Sequence, residues 1–273
     1  MNPINMTINE LKSYLKKVKI TDSLIKKLKN DSRKGVKKLA RKYEKRKSKI
    51  TKIQQKWQLM NEKQNQLEKE GYSLIAGVDE AGRGPLAGPV VAGAVVLDSD
   101  EKILGLDDSK KLNLEKRQSL FKKIKSKAVA TGVGIIDNNK IDEINIYNAA
   151  LLAMKEAIND LDLIPDYLLL DGNTKITELE IMQEPVVGGD AKINNIAAAS
   201  ILAKVTRDNI IEKYHKEYPE YDFQNNKGYA TSKHIQALKD NGPTPIHRYS
   251  YAIVKKYAEN LSSYTQTNMF QNK

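Results

Sequence analysis

The stretch Leu74-Ile75-Ala76-Gly77-Val78-Asp79-Glu80-Ala81-Gly82-Arg83-Gly84-Pro85 decides the fold class of this chain. Its apolar half reads as a buried strand. The strand ends in two adjacent acids, and a Gly/Pro-rich turn leads into a second apolar run, Val90 to Leu97. An ionised carboxylate beside a core is costly unless a cation or hydrogen bonds compensate it. The Asp79-Glu80 pair therefore calls for a reason beyond packing. Glycines at 82 and 84 let backbone N–H groups approach a phosphate or sugar that a Cβ would obstruct.

The same pattern recurs downstream. Tyr167-Leu168-Leu169-Leu170 runs straight into Asp171-Gly172, and Val186-Val187-Gly188-Gly189 runs into Asp190 before an Ala-rich segment. If strands of one sheet end together, these carboxylates converge, and divalent metal would have to relieve their repulsion. The chain has no cysteine and three histidines, His215, His234 and His247. That excludes a disulfide scaffold, a thiolate site and a cysteine nucleophile, and it argues against a multi-histidine zinc site. Hard oxygen donors favour Mg²⁺ or Mn²⁺. Two such ions roughly 3.5–4 Å apart clamp the attacking and leaving oxygens of an in-line phosphoryl displacement. A turn or N-cap role is the ordinary reading for Asp98, Asp100, Asp107, Asp137 and Asp142, and for Asp190 capping of the following helix is an equal alternative.

Around these strands the pattern predicts a helix over 114–128, a strand over 130–136, a helix over 148–161 and a long helix over 196–214. Strands interleaved with helices argue an α/β domain with a mixed sheet. The 46 Lys+Arg and 34 Asp+Glu of the 273 residues are unevenly placed. Residues 1–70 hold 21 basic against 7 acidic side chains, which leaves 25 against 27 for the rest. This head is helical by pattern. Ile8, Leu11, Leu15 and Val18 follow a Thr7/Glu10 capping box, and a second helical stretch covers about 31–70. His215 and His234 read as helix-surface residues. Two readings of the head compete: a solvated helical face, or a sequence-blind grip on nucleic acid. The expected domains are a basic helical extension over 1–70, a catalytic domain over 71–260 and a disordered tail over 261–273. No apolar run reaches the ~18 residues of a membrane span and the start of the chain lacks a signal-peptide pattern, so a soluble, cytoplasmic protein is expected.

The string Gly77 to Pro89 resembles the opening motif of ribonuclease HII, the type 2 ribonuclease H of bacteria. Further blocks follow in order: Leu106–Leu112, Leu170-Asp171-Gly172, Gly189–Lys192, Ile196–Asp208, Lys227-Gly228-Tyr229 and His247-Arg248. The resemblance implies a ribonuclease H-like mixed sheet flanked by helices, with a C-terminal helical region and an appended small N-terminal helical domain. It implies Asp79, Glu80, Asp171 and Asp190 as the catalytic carboxylates that hold divalent metal, Mn²⁺ or Mg²⁺. The implied activity is endonucleolytic hydrolysis of the RNA strand of RNA–DNA hybrids, and incision 5′ to ribonucleotides embedded in duplex DNA, leaving 3′-hydroxyl and 5′-phosphate ends. Gly82, Arg83 and Gly84 match the loop that engages the ribonucleotide. Tyr229 matches the tyrosine that packs on the following sugar, and Lys110 and Lys111 look like phosphate holders. For Lys204 and Arg207, helix-surface salt bridging and substrate contact are equal alternatives. For His247, loop packing or phosphate contact is expected. A monomer is expected. The tail peptide Gln266-Thr267-Asn268-Met269-Phe270 resembles a weak sliding-clamp contact. Two alternatives are a binding-only protein on the same fold and another two-metal nuclease or transferase such as a recombinase. The four occupied acid positions disfavour the first, and the ribose-sensing loop and tyrosine disfavour the second.

Overall fold

In the computed structural model, residues 6–18 and 20–259 are described. The tail from Asn260 onward, with its clamp-like peptide, lies outside the described residues. Strand β1 (Ile75–Ala81) is the middle of a five-stranded mixed sheet of order β3-β2-β1-β4-β5. On one side it pairs antiparallel with β2 (Val90–Val96), which pairs antiparallel with β3 (Ala130–Ile136). On the other it runs parallel to β4 (Tyr167–Asp171), which runs parallel to β5 (Met182–Val186). The parallel register sets Val78 opposite Leu170, so Asp79 and Asp171 leave the sheet at the same end. Asp171 lies opposite Val186, which brings the chain from Val187 to Asp190 to that end too.

Both faces of the sheet are covered, which is why its central strands are apolar apart from the acids at the ends of β1 and β4. Ala76, Val78, Ala92 and Ala94 pack with Ala149, Ala153 and Ala157 of helix α5 (Asn138–Asn159). Val95 and Leu97 pack with Ala198, Ile201 and Leu202 of helix α6 (Asn194–Glu217) and with Leu120 and Ile124 of helix α4 (Leu114–Lys127). Small residues set how close α6 lies: a Cβ on Gly77 would stand 2.1 Å from the Asn195 carbonyl carbon, and one on Gly93 would stand 2.6 Å from Ala199 O. A further cluster joins Leu86 and Ala87, just beyond β1, to Ile211, to Tyr221 and Phe223 at the short helix α7 (Phe223–Asn226), and to Leu238 of α8 (Ser232–Asn241). The C-terminal region thus packs on the loop that follows the two acids. Residues 252–259 are helical.

The mixed sheet, flanking helices, helical N-terminal region and helical C-terminal region match the expected fold class. Three elements differ from the pattern. Helix α5 begins ten residues before its expected start, because a break at Asn145 (φ 66°) interrupts the periodicity that would have revealed the first part. Strand β5 is absent from the sequence pattern, since Gln183, Glu184 and Pro185 weaken its signal; at the sheet edge Pro is tolerated. In the head, α2 (Asp22–Lys29) is an unexpected short helix capped by Thr21.

The chain forms two compact units, divided at Gln58/Leu59. The first contains α1 (Ile8–Lys17), α2 and the first part of α3 (Lys34–Lys69), around Leu11, Leu15, Leu28, Val36 and Ala40. Thr7 and Glu10 form the capping box anticipated for α1. In the larger unit, the last turns of α3 are integral to the packing. Met60 joins the cluster under α4 and α6, Leu67 packs with Ile75 and Leu169, and the Gln64 side-chain amide donates to Leu97 O at 2.9 Å. No described helix is long and apolar enough to cross a membrane.

Candidate active site

Asp79 is 5% exposed. Burial pushes its carboxyl well above the usual carboxylate range, and the negative charges of Glu80 and Asp171 add to that. The Glu80 N–H donates to Asp79 Oδ1 at 2.7 Å, and the Ser200 hydroxyl also holds the group. Ser200 Oγ in turn lies 3.0 Å from Ser109 Oγ, tying the turn that carries Lys110 and Lys111 to the same point. Burial also raises Glu80, opposed by the guanidinium of Arg83, whose Nη1 is 3.3 Å from Glu80 Oε1. Asp171 accepts the Gly189 N–H at 2.7 Å. That bond binds the end of β4 to the turn that presents Asp190.

Asp190 sits in a 3-10 turn, Gly189–Ala191, and the residue at the N-cap of α6 is Ile193. It is therefore not a capping aspartate, which removes the alternative reading of that residue. Its carboxyl is raised by burial, then by Asp108 and Asp171, with Lys110 acting in the opposite sense. Lys111 lies 3.7 Å from Asp108. Among the described residues, no three carboxylates or imidazoles are closed around one point as a ligand cage. The donor set nevertheless fits a hard divalent cation. All of its donors are carboxylate oxygens, and Asp79, Glu80 and Asp190 are each driven toward protonation by burial and like charge, with Arg83 and Lys110 the cations that relieve the last two.

Beyond Glu80 the chain turns sharply. Gly82 has φ +102°, and a Cβ there would stand 2.2 Å from Arg207 Nε and 2.8 Å from Pro89 O. Arg83 and Gly84 are exposed on the outer side of this loop. Tyr229 is exposed, and its ring borders Gly84, whose Cβ would meet Tyr229 Cε1 at 3.4 Å. The structure thus brings Gly82, Arg83, Gly84 and Tyr229 together, although 145 positions separate Gly84 from Tyr229.

Two fully buried arginines shape the loop. Arg248 donates to the carbonyls of Gly82 (2.6 Å), Arg83 (2.9 Å) and Gly88 (2.9 and 3.0 Å). Arg207 donates to Pro89 O (2.9 Å), Ala87 O (3.0 Å) and Lys227 O (2.9 Å). Burial lowers the Arg207 guanidinium to about 10, with the Arg248 charge adding to the effect. Neither alternative for Arg207 holds, because it is neither on the helix surface nor at an exposed position. Lys204 does form a helix salt bridge, 2.8 Å to Asp208. His234 is a second correction: it is fully buried and bonded to His247 at 2.9 Å rather than lying on the helix surface. His247 is equally buried, in keeping with loop packing. In sequence these residues carry only the signal of polar side chains in apolar helices or turns, which does not reveal their partners.

Comparison with known proteins gives a consistent answer. The family model described as Ribonuclease HII matches residues 76–254, and that described as Ribonuclease HII N-terminal domain matches residues 7–68. Ribonuclease HII of Bacillus licheniformis is 46% identical over 253 residues, covering 92% of this chain and 98% of that protein. The crystal structure of ribonuclease H2 from Pyrococcus horikoshii superposes with a TM-score of 0.61 at 29% identity, covering 70% of this chain and 99% of that one. Ribonuclease HII from Archaeoglobus fulgidus, solved in complex with PCNA, superposes with a TM-score of 0.53 at 28% identity, covering 62% of this chain and 88% of that one. With that likeness extending from the acid-ended sheet through the head, the chain belongs to the ribonuclease HII family of metal-dependent endoribonucleases.

Proposed function

We propose that this ribonuclease H cuts at ribonucleotides in DNA as well as in RNA–DNA hybrids, and that it serves ribonucleotide removal from DNA in the cytoplasm, acting as a monomer. The observation that carries the reading is the buried Asp79 carboxylate at the shared end of β1 and β4, directly before a loop bordered by an exposed tyrosine. Asp79, Glu80, Asp171 and Asp190 would hold two divalent ions, Mn²⁺ or Mg²⁺. The chemistry such ions would supply when bound is activation of a water and charge neutralisation for an in-line phosphodiester hydrolysis, with 3′-hydroxyl and 5′-phosphate products.

The protein's own groups do the recognition. The backbone of Gly82 and Gly84 and the Arg83 side chain reach the ribonucleotide, where the 2′-hydroxyl distinguishes RNA from DNA. Tyr229 packs on the next sugar, where a second 2′-hydroxyl would interfere with the ring and make continuous RNA the less favoured substrate. Lys110 and Lys111 hold phosphates close to the cut, and the Gly189 N–H keeps Asp171 turned toward its neighbours. The basic head, residues 1–70, adds sequence-blind affinity for the duplex. The clamp complex of the Archaeoglobus relative supports asking whether the tail peptide Gln266–Phe270 makes a similar contact here.

The decisive assay uses duplex DNA with one embedded ribonucleotide, incubated with Mg²⁺, Mn²⁺ or a chelator. Incision 5′ to the ribonucleotide is expected with metal and none with chelator. Asp79→Asn and Asp171→Asn should each lose roughly 10³-fold in rate, the several kcal/mol of charge stabilisation a metal supplies. Cleavage at an undiminished rate in either variant would sink the assignment of the carboxylates.

A further inference from the structure

His234 and His247 form a hydrogen-bonded chain whose direction the backbone decides. Both the Thr244 N–H (2.9 Å) and the Thr244 hydroxyl (2.8 Å) converge on His247 Nδ1; the backbone N–H can only donate, so that nitrogen carries no proton and His247 is protonated at Nε2. Its Nε2–H then donates across 2.9 Å to His234 Nε2. His234 is left with its proton on Nδ1, and Nδ1–H meets Tyr229 O at 2.9 Å, an atom that can only accept. Each link requires the one before it, and the chain is closed only when both rings are neutral and hold opposite tautomers.

The two ends of this chain are the two halves of the sugar-reading surface. Tyr229, whose carbonyl also accepts the Thr231 N–H at 2.8 Å, carries the ring that borders Gly84. At the other end, His247 forms a β-bridge with Ala87, and the next residue, Arg248, grips the carbonyls of Gly82, Arg83 and Gly88. Adjacent side chains of one dipeptide therefore reach in two directions, one to the glycine loop and one through His234 to the tyrosine.

We infer that His234 and His247 are specificity-positioning residues: a tautomer-locked strut that sets the gap between the Gly82–Gly84 loop and the Tyr229 ring, and hence the choice between a lone ribonucleotide and continuous RNA. This rests on Tyr229 reading the sugar that follows the ribonucleotide. Neither histidine touches substrate. Their action is on where the ring sits, and its signature is a change in substrate preference rather than a uniform loss of rate.

Two measurements test it. In the unsubstituted protein, ¹⁵N imidazole spectra at neutral pH should show His234 protonated at Nδ1 and His247 at Nε2, with His215 as internal comparison. The same tautomer on both rings would overturn the strut. In folded variants, the ratio of kcat/KM for a single embedded ribonucleotide to that for an RNA–DNA hybrid is the readout. His234→Asn places an amide donor where Nδ1 stood and should keep the ratio within about threefold, whereas His234→Gln, reaching the Nε2 position, loses the bond to Tyr229 O and should shift it by on the order of tenfold. Tyr229→Ala must shift the ratio in the same direction. If Tyr229→Ala leaves the ratio unchanged, the sugar-reading role of Tyr229 fails. If it shifts the ratio while Asn and Gln at 234 behave alike, the strut alone fails.

Discussion

Gly82 shows how much one position can carry. Its φ of +102° lies where an L side chain is strained, and the space a Cβ would need is filled by the buried Arg207 side chain. Gly82→Ala should therefore destabilise the protein by about 1–3 kcal/mol and reduce cleavage by more than its effect on folding, measured by denaturant unfolding beside the cleavage assay. Unchanged activity and stability would show that the loop does not need this turn. The histidine pair makes a separate prediction. Burial holds both imidazoles below their ordinary value, with His247 at about 3 beside His234. In the unfolded chain they titrate near 6.5, so below that pH the unfolded form binds protons that the folded form refuses. Their contribution to stability is complete above about pH 6.5 and is lost as pH falls; for His247 the loss runs down toward about pH 3, at up to roughly 1.4 kcal/mol per unit, and His234 adds in the same direction. Unfolding midpoints between about pH 7 and 5 should fall less steeply in a His234→Gln/His247→Gln double variant than in the unsubstituted protein; parallel slopes would contradict the assignment.

The elements differ in how plainly the chain announces them. Helix α1 is legible from its capping box, with the Thr7 hydroxyl accepting the Glu10 N–H at 3.3 Å and Glu10 Oε2 accepting the Thr7 N–H at 2.8 Å. Thr7→Ala should cost about 1 kcal/mol, read as faster hydrogen exchange of the α1 amides with little change in the sheet. Equal protection in both proteins would show the cap to be idle. β1, β2 and β4 are legible because each is a short apolar run between turn residues. β5 is not, because an edge strand needs neither alternation nor a full set of donors. The first part of α5 is hidden by the Asn145 break. α3 is legible as a helix, but its periodicity does not reveal that its last turns belong to the packing of the larger unit.

That division redirects the test of the head. Removing residues 1–70 would also strip Met60, Gln64 and Leu67 from the larger unit, and any loss of binding would then be ambiguous. Charge substitutions avoid the problem. Lys38, Arg41, Lys42 and Lys45 are exposed, line one groove beside α1 and carry no ion pair among the described residues, whereas Lys47 is bound to Asp22 at 2.6 Å. Replacing the four by Gln should weaken binding to hybrid at every sequence and lower the slope of log K against log salt by up to about 0.9 for each phosphate no longer neutralised. An unaltered slope would return the head to the role of a solvated face. In the whole chain, local composition determined β1 to β4, the acids at the ends of β1 and β4, the lack of cysteine and the basic head, because apolar runs and charge are properties of neighbours in sequence. Only the tertiary structure decided that Asp79 and Asp171 leave the sheet together, that Tyr229 meets Gly84, and that Arg207, Arg248, His234 and His247 are buried and hydrogen-bonded. Parallel register, helix docking and the partner of a buried polar group all depend on residues far apart in the chain, and their energies appear only when water is excluded between them.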